Sequence, residues 1–130
     1  MSNKIKNSTV LVMLFIGLLY SCARQDVAPG RYEIMGYRIT RQALQDSIEI
    51  SHGPKFEFHS DRKRVTVSSD FDFGCFTDSV YFYKYRDGIL HLDGPNDRKI
   101  IFCEPFPDGN GYTLFLDEKY IEQISICKEN

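Results

Sequence analysis

Five aromatic side chains are the strongest candidates for a binding surface. Tyr81, Tyr83 and Tyr85 alternate along one run, and Phe71 and Phe73 alternate along the run before it. A phenol ring is an apolar body with a polar tip that needs a partner once buried. A row of such rings facing a hollow would grip a small apolar or aromatic molecule. The competing use is plain filling, because a small barrel has little spare room. Three carboxylates, Asp70, Asp72 and Asp78, invite a hard-cation reading. Asp70 and Asp72 are, however, the outward members of an alternating run, and a solvated face explains them. Removing the Asp70 carboxylate is therefore expected to cost almost nothing, whereas Phe71→Ala should cost about 3–5 kcal/mol. His52, His59 and His91 are far apart in sequence. Zinc needs three or four convergent ligands, so no metal is expected. No Gly-x-Ser-x-Gly elbow is present. The chain reads as non-catalytic, and no cofactor is implied.

A different chemistry centres on Cys22. Lys4 and Lys6 precede an apolar run from Val10 to Tyr20, and Leu19-Tyr20-Ser21-Cys22 closes it. A charged start and a short apolar stretch form the layout of a secretory signal. The run is shorter than the roughly 20 apolar residues of a membrane span. With Leu19 and the small Ser21 ahead of the cysteine, the segment resembles a bacterial lipoprotein box of the Bacteroidota type. The resemblance implies cleavage before Cys22 and a diacylglycerol on its thiol. The competing reading is an ordinary signal with an incidental cysteine. Residues 1–21 are then the signal peptide, 22–30 a lipidated tether and 31–130 the folded domain. Lipoproteins of that group exported to the cell surface usually carry an acidic cluster after the cysteine. Here only Asp26 is acidic and Arg24 opposes it. The expected location is therefore the cell envelope, on the periplasm-facing outer membrane rather than the cell surface.

Without residues 1–21, which hold two lysines and no acid, the formal net charge moves from −2 to −4. That balance argues against nucleic acid, which calls for a basic footprint. The remaining 109 residues make one small domain with a thin core. Cys75, Cys103 and Cys127 permit at most one internal disulfide, with three pairings open.

The elements that must position these groups are strands. Arg31–Thr40 is the first, followed by a short helical piece at 41–47 with Thr40 as a possible N-cap. A loop at 60–63 pairs Phe58 with Val65 and Phe56 with Val67. Strict alternation then suggests one long strand, with Val65, Val67, Ser69, Phe71 and Phe73 on the same face. Asp87-Gly88 is a two-residue hairpin signal. It pairs Tyr85 with Leu90, Tyr83 with Leu92, and Lys84 with His91. A turn at 76–78 would set Phe73 against Tyr81, Phe71 against Tyr83 and Ser69 against Tyr85. Lys99–Phe106, Tyr112–Leu116 and Tyr120–Cys127 complete the set.

About eight strands with short connections predict an all-β, antiparallel up-and-down meander with one short helix. Closure into a small barrel removes its exposed edges. An open β-roll or a two-sheet sandwich is the alternative. The pattern over residues 30–127 resembles a lipocalin-like domain, with Gly30-Arg31-Tyr32 in the place of the family's Gly-x-Trp and Lys128 near its late-strand arginine. The resemblance implies a lipid-anchored binding module for a small apolar ligand held by Tyr81, Tyr83, Tyr85, Phe71 and Phe73. A protein-partner subunit and a motif-less envelope hydrolase are the alternatives. Its partners would be the membrane through Cys22 and an apolar ligand or envelope protein. Replacing Cys22 with serine should leave an unprocessed, unlipidated precursor. Mass spectrometry checks this, and an unmodified wild-type N-terminus elsewhere would sink the assignment.

Overall fold

The computed structural model describes residues 26–130. Cys22 and the expected signal segment lie outside the described residues. Eight strands hydrogen-bond in sequence order and close into an antiparallel barrel. They are β1 (Gly30–Ile39), β2 (Lys55–Phe58), β3 (Arg64–Ser68), β4 (Val80–Arg86), β5 (Ile89–Asp93), β6 (Arg98–Pro105), β7 (Gly111–Phe115) and β8 (Ile121–Lys128), with a helix α1 (Arg41–Gln45) after β1. The closed barrel replaces the open roll and the sandwich. Its seam is long: β1 pairs with β8 from Tyr32↔Lys128 to Ile39↔Ile121.

One end of the barrel carries tight turns, and the local chemistry explains them. Asp87 and Gly88 both have positive φ, as a two-residue turn matching the strand twist requires. The pairs Tyr85↔Leu90, Lys84↔His91 and Tyr83↔Leu92 form as the turn predicts. Phe56↔Val67 and Phe58↔Val65 also form. In that hairpin Asp61 accepts from the N–H of Lys63 at 2.9 Å and of Arg64 at 3.1 Å. These bonds and the Arg64 guanidinium hold its carboxyl at about 2, below the usual range. The entering chain also packs here. Val27 is buried, and the Tyr32 hydroxyl donates to the Ala28 carbonyl at 2.7 Å. The segment expected as a free tether is thus part of the fold from Val27 onward.

The opposite end carries the longer connections. Thr40 caps α1 as expected, its hydroxyl accepting from Ala43 N–H at 3.2 Å. The helix ends two residues earlier than the run 41–47 suggests.

The long strand predicted through Phe73 does not form, because β3 stops at Ser68. Ser69 has a positive φ of 64°, which breaks the extended backbone. The Asp70 carboxylate then accepts from the N–H groups of Phe71, Cys75 and Phe76 at 2.8, 2.8 and 2.9 Å. A short side chain that satisfies backbone donors competes with the strand ladder, and here it wins. The β3–β4 register is accordingly Val65↔Tyr81 and Thr66↔Val80, not the predicted Phe73–Tyr81, Phe71–Tyr83 and Ser69–Tyr85 pairs. Asp70 is no idle surface carboxylate. Asp70→Ala should leave three loop N–H groups without their acceptor and lower stability by about 1–3 kcal/mol in urea unfolding. An unchanged midpoint would show that solvent replaces those bonds freely.

Candidate functional site

The aromatic row lies where alternation placed it. Tyr81 and Tyr83 are buried and Tyr85 is half-buried. Their rings meet other rings. Phe58 stands edge-on between Tyr32 (5.5 Å) and Tyr83 (5.0 Å), and Tyr112 sits beside Tyr32 (5.9 Å) and Tyr85 (6.1 Å). Edge-to-face pairs at these separations add to burial alone. The Tyr85 hydroxyl donates to the Cys103 carbonyl at 3.1 Å, and its pKa is pushed up to about 12, chiefly by burial. Burial likewise raises the Cys103 and Cys75 thiols to about 12, and both cysteines are free. Tyr83 hydroxyl is the exception, buried without a hydrogen-bond partner among the described residues.

Phe71 and Phe73 do not join the row. They stack on each other at 5.1 Å in the long loop, and Phe73 meets Tyr120 edge-on at 5.2 Å. Phe71 is buried in the core and Phe73 packs against it. The five proposed ligand contacts are therefore split between the tyrosine row and the loop end.

Tyr81 belongs to a polar clasp at the loop end. Its hydroxyl donates to Asp97 at 2.6 Å and accepts from Asp78 N–H at 3.1 Å. Asp78 is buried. Its carboxylate accepts from Asn96 N–H (2.9 Å), Asn96 Nδ2 (3.0 Å) and Asp97 N–H (2.8 Å). Burial opposes its ionisation, but these donors outweigh burial and hold its pKa below the usual value. Only glycine fits at position 94, because a Cβ there would collide with that carboxylate. Lys99 completes the clasp, 2.9 Å from Glu118 and 5.4 Å over the Phe76 ring. Asp70 and Asp78 spend their oxygens on amide N–H donors, and the described residues bring no cation site together with Asp72.

The outer wall of β4–β6 holds a feature the sequence reading did not single out. Phe82, Ile100 and Phe102 are 63%, 66% and 62% exposed there. A groove of about 850 Å³ crosses this wall from Asp26 and Arg62 to Arg98 and Ile100. Cations dominate its lining. Arg62 is balanced by Asp26 at 3.5 Å and Arg98 by Asp93 at 3.4 Å. Lys63, Lys84 and Arg86 have no acidic partner among the described residues. Lys84 lies directly opposite His91, and His91 opposite Ile100. A cation facing an imidazole gains nothing from its neighbour across the ladder. The signal was present in the sequence, in the outward residues Phe82, Lys84 and Arg86 that interleave the inward tyrosines. Reading only the core face hid it.

Histidines meet hydroxyls in two places. His59 Nε2 is 2.6 Å from Thr66 Oγ1. Ser51 Oγ is 3.1 Å from His52 Nδ1, and His52 Nε2 is 3.2 Å from Asp72. This hydroxyl–imidazole–carboxylate order, absent from the sequence reading, borders an open hollow of about 410 Å³ with Tyr37, Ile39, Ile48 and Ile50. The His52 and Asp72 side chains are each more than half exposed. Water competes for both hydrogen bonds, and electrostatic activation needs a site from which it is excluded.

No protein-family model, curated protein or solved structure matches this chain. The expected outcome for the Ser51 trio is no turnover of p-nitrophenyl acetate above a Ser51→Ala variant. A wild-type rate clearly above that variant would make the trio catalytic.

Proposed function

We propose that this protein is a non-catalytic binding module anchored to the cell envelope through Cys22, and that it binds on the outer wall of β4–β6. The partner bears an anionic group beside an apolar part. One observation carries the reading: Phe82, Ile100 and Phe102 stand exposed on a wall where Lys63, Lys84 and Arg86 have no acidic partner among the described residues. Ile100 and Phe102 are successive outward residues of β6, and Phe82 stands on the same wall across β5; exposed apolar surface rimmed by polar groups marks an interaction site. The inward row supports the same conclusion from the other side. Its rings contact one another, and the Tyr81 and Tyr85 hydroxyls already have protein partners. The small apolar ligand expected inside the barrel would have to displace those contacts.

The test uses thermal unfolding with single-chain amphiphiles below their micelle concentration. An alkyl phosphate should stabilise the protein, and a neutral alkyl glucoside should not. At 100-fold excess over its dissociation constant the gain is about 2.7 kcal/mol. Phe82→Ser with Lys84→Glu should abolish the gain while moving the unliganded stability by no more than about 0.5 kcal/mol, as surface changes do. Tyr83→Phe should keep it. Stabilisation by neutral apolar compounds, lost in Tyr83→Ala, would return the site to the barrel interior.

A further inference from the structure

We infer that the outer wall of β4–β6 docks onto the anionic lipid headgroups of the bilayer that holds Cys22. The barrel then lies on its side against the membrane. The inference rests on the binding surface proposed above and names its partner. Proximity is the first support. Asp26 lines the groove, and only three residues separate it from Cys22. An extended chain advances about 3.3–3.6 Å per residue, so the Asp26 backbone sits within roughly 14 Å of the Cys22 backbone. The groove cannot be far from any lipid attached there.

Composition is the second support. An exposed apolar centre, Phe82 and Ile100, is flanked by the long side chains of Lys63, Lys84 and Arg86. Apolar side chains enter the headgroup boundary while lysine and arginine stems lie flat and keep their charges in the headgroups. Charge is the third support. The chain is net negative, yet Lys63, Lys84 and Arg86 on this wall lack acidic partners among the described residues, and anionic lipids supply the missing counter-charge. The opposite wall, on β1, also exposes Met35 and Tyr37, but there Glu33 and Arg38 of the same strand offset each other. On the outer face of β4, β5 and β6, Lys84, Arg86 and Arg98 outnumber the acids Asp93 and Glu104.

The chain has no tryptophan, so a single Phe82→Trp change makes a clean reporter. The processed protein is placed in phosphatidylcholine vesicles, with or without phosphatidylglycerol, whose acyl chains carry bromine as a quencher. With phosphatidylglycerol present, Phe82→Trp should be quenched and Met35→Trp should not. Adding Lys84→Glu and Arg86→Glu to the first reporter should weaken docking by at least roughly fivefold per charge. Equal quenching at the two positions, or no dependence on phosphatidylglycerol, would overturn the inference. Protection of the reporter by soluble polyglutamate without quenching by vesicles would also overturn it, by giving the wall to an acidic protein. Mass spectrometry of the same sample reports the Cys22 lipid separately. If that lipid is absent, the anchor reading fails alone. The reporter is then read with the processed protein added to vesicles from solution, and quenching restricted to Phe82→Trp still decides for or against the lipid surface.

Discussion

Aromatic rings packed edge to face across the barrel are the constraint on which the rest depends. Tyr32, Phe58, Tyr83, Tyr85 and Tyr112 come from four different strands, and each contacts at least one other. An eight-stranded barrel is just wide enough either to be filled by side chains or to hold one small ligand. These rings favour filling around the tyrosine row. The loop end is treated differently, with rings and a polar clasp combined. Phe76 stands edge-on to Phe56 and Tyr81, while Asp78 and Asp97 tie the 69–79 loop to the turn after β5. Once the inside is occupied this way, the exposed aromatic and aliphatic side chains lie on the outer face.

That division explains what could be read from the sequence. Strand periodicity and turn chemistry are local signals, so the barrel and two hairpin registers were legible from Asp87-Gly88 and from Phe56, Phe58, Val65 and Val67. Failure came where two local signals conflicted. Ser69 to Phe73 alternates like a strand, yet Asp70 turns its carboxylate back onto three N–H groups and stops the strand. Alternation cannot report that choice, because the donors at Cys75 and Phe76 are five and six residues away. The burial of Asp78 was hidden for a related reason. Its partners, Asn96 and Asp97, lie across the barrel mouth and are adjacent only after folding.

The candidate site was half legible. The inward tyrosines and their β5 partners Leu90 and Leu92 were placed correctly, but their ring partners were not, since those depend on which rings arrive from β1, β2 and β7. The cationic wall was also written in the chain, in the outward members of β4. Its meaning emerged only when β5 and β6 brought His91, Arg98 and Ile100 alongside.

The β1–β8 seam has a consequence for the order of folding. Every other strand pair joins chain neighbours, so it can form early and locally. The seam joins Tyr32 to Lys128 and Ile39 to Ile121, nearly the whole length of the domain. Long-range pairing of this kind is slow, because the entropy of closing so large a loop must be met before the contacts repay it. Until β8 is made, β1 has only the three-residue pairing with β2, Gly30↔Phe58 to Tyr32↔Phe56. A chain growing from its N-terminus thus stays an open ribbon until β8 appears, and the barrel closes in one late step.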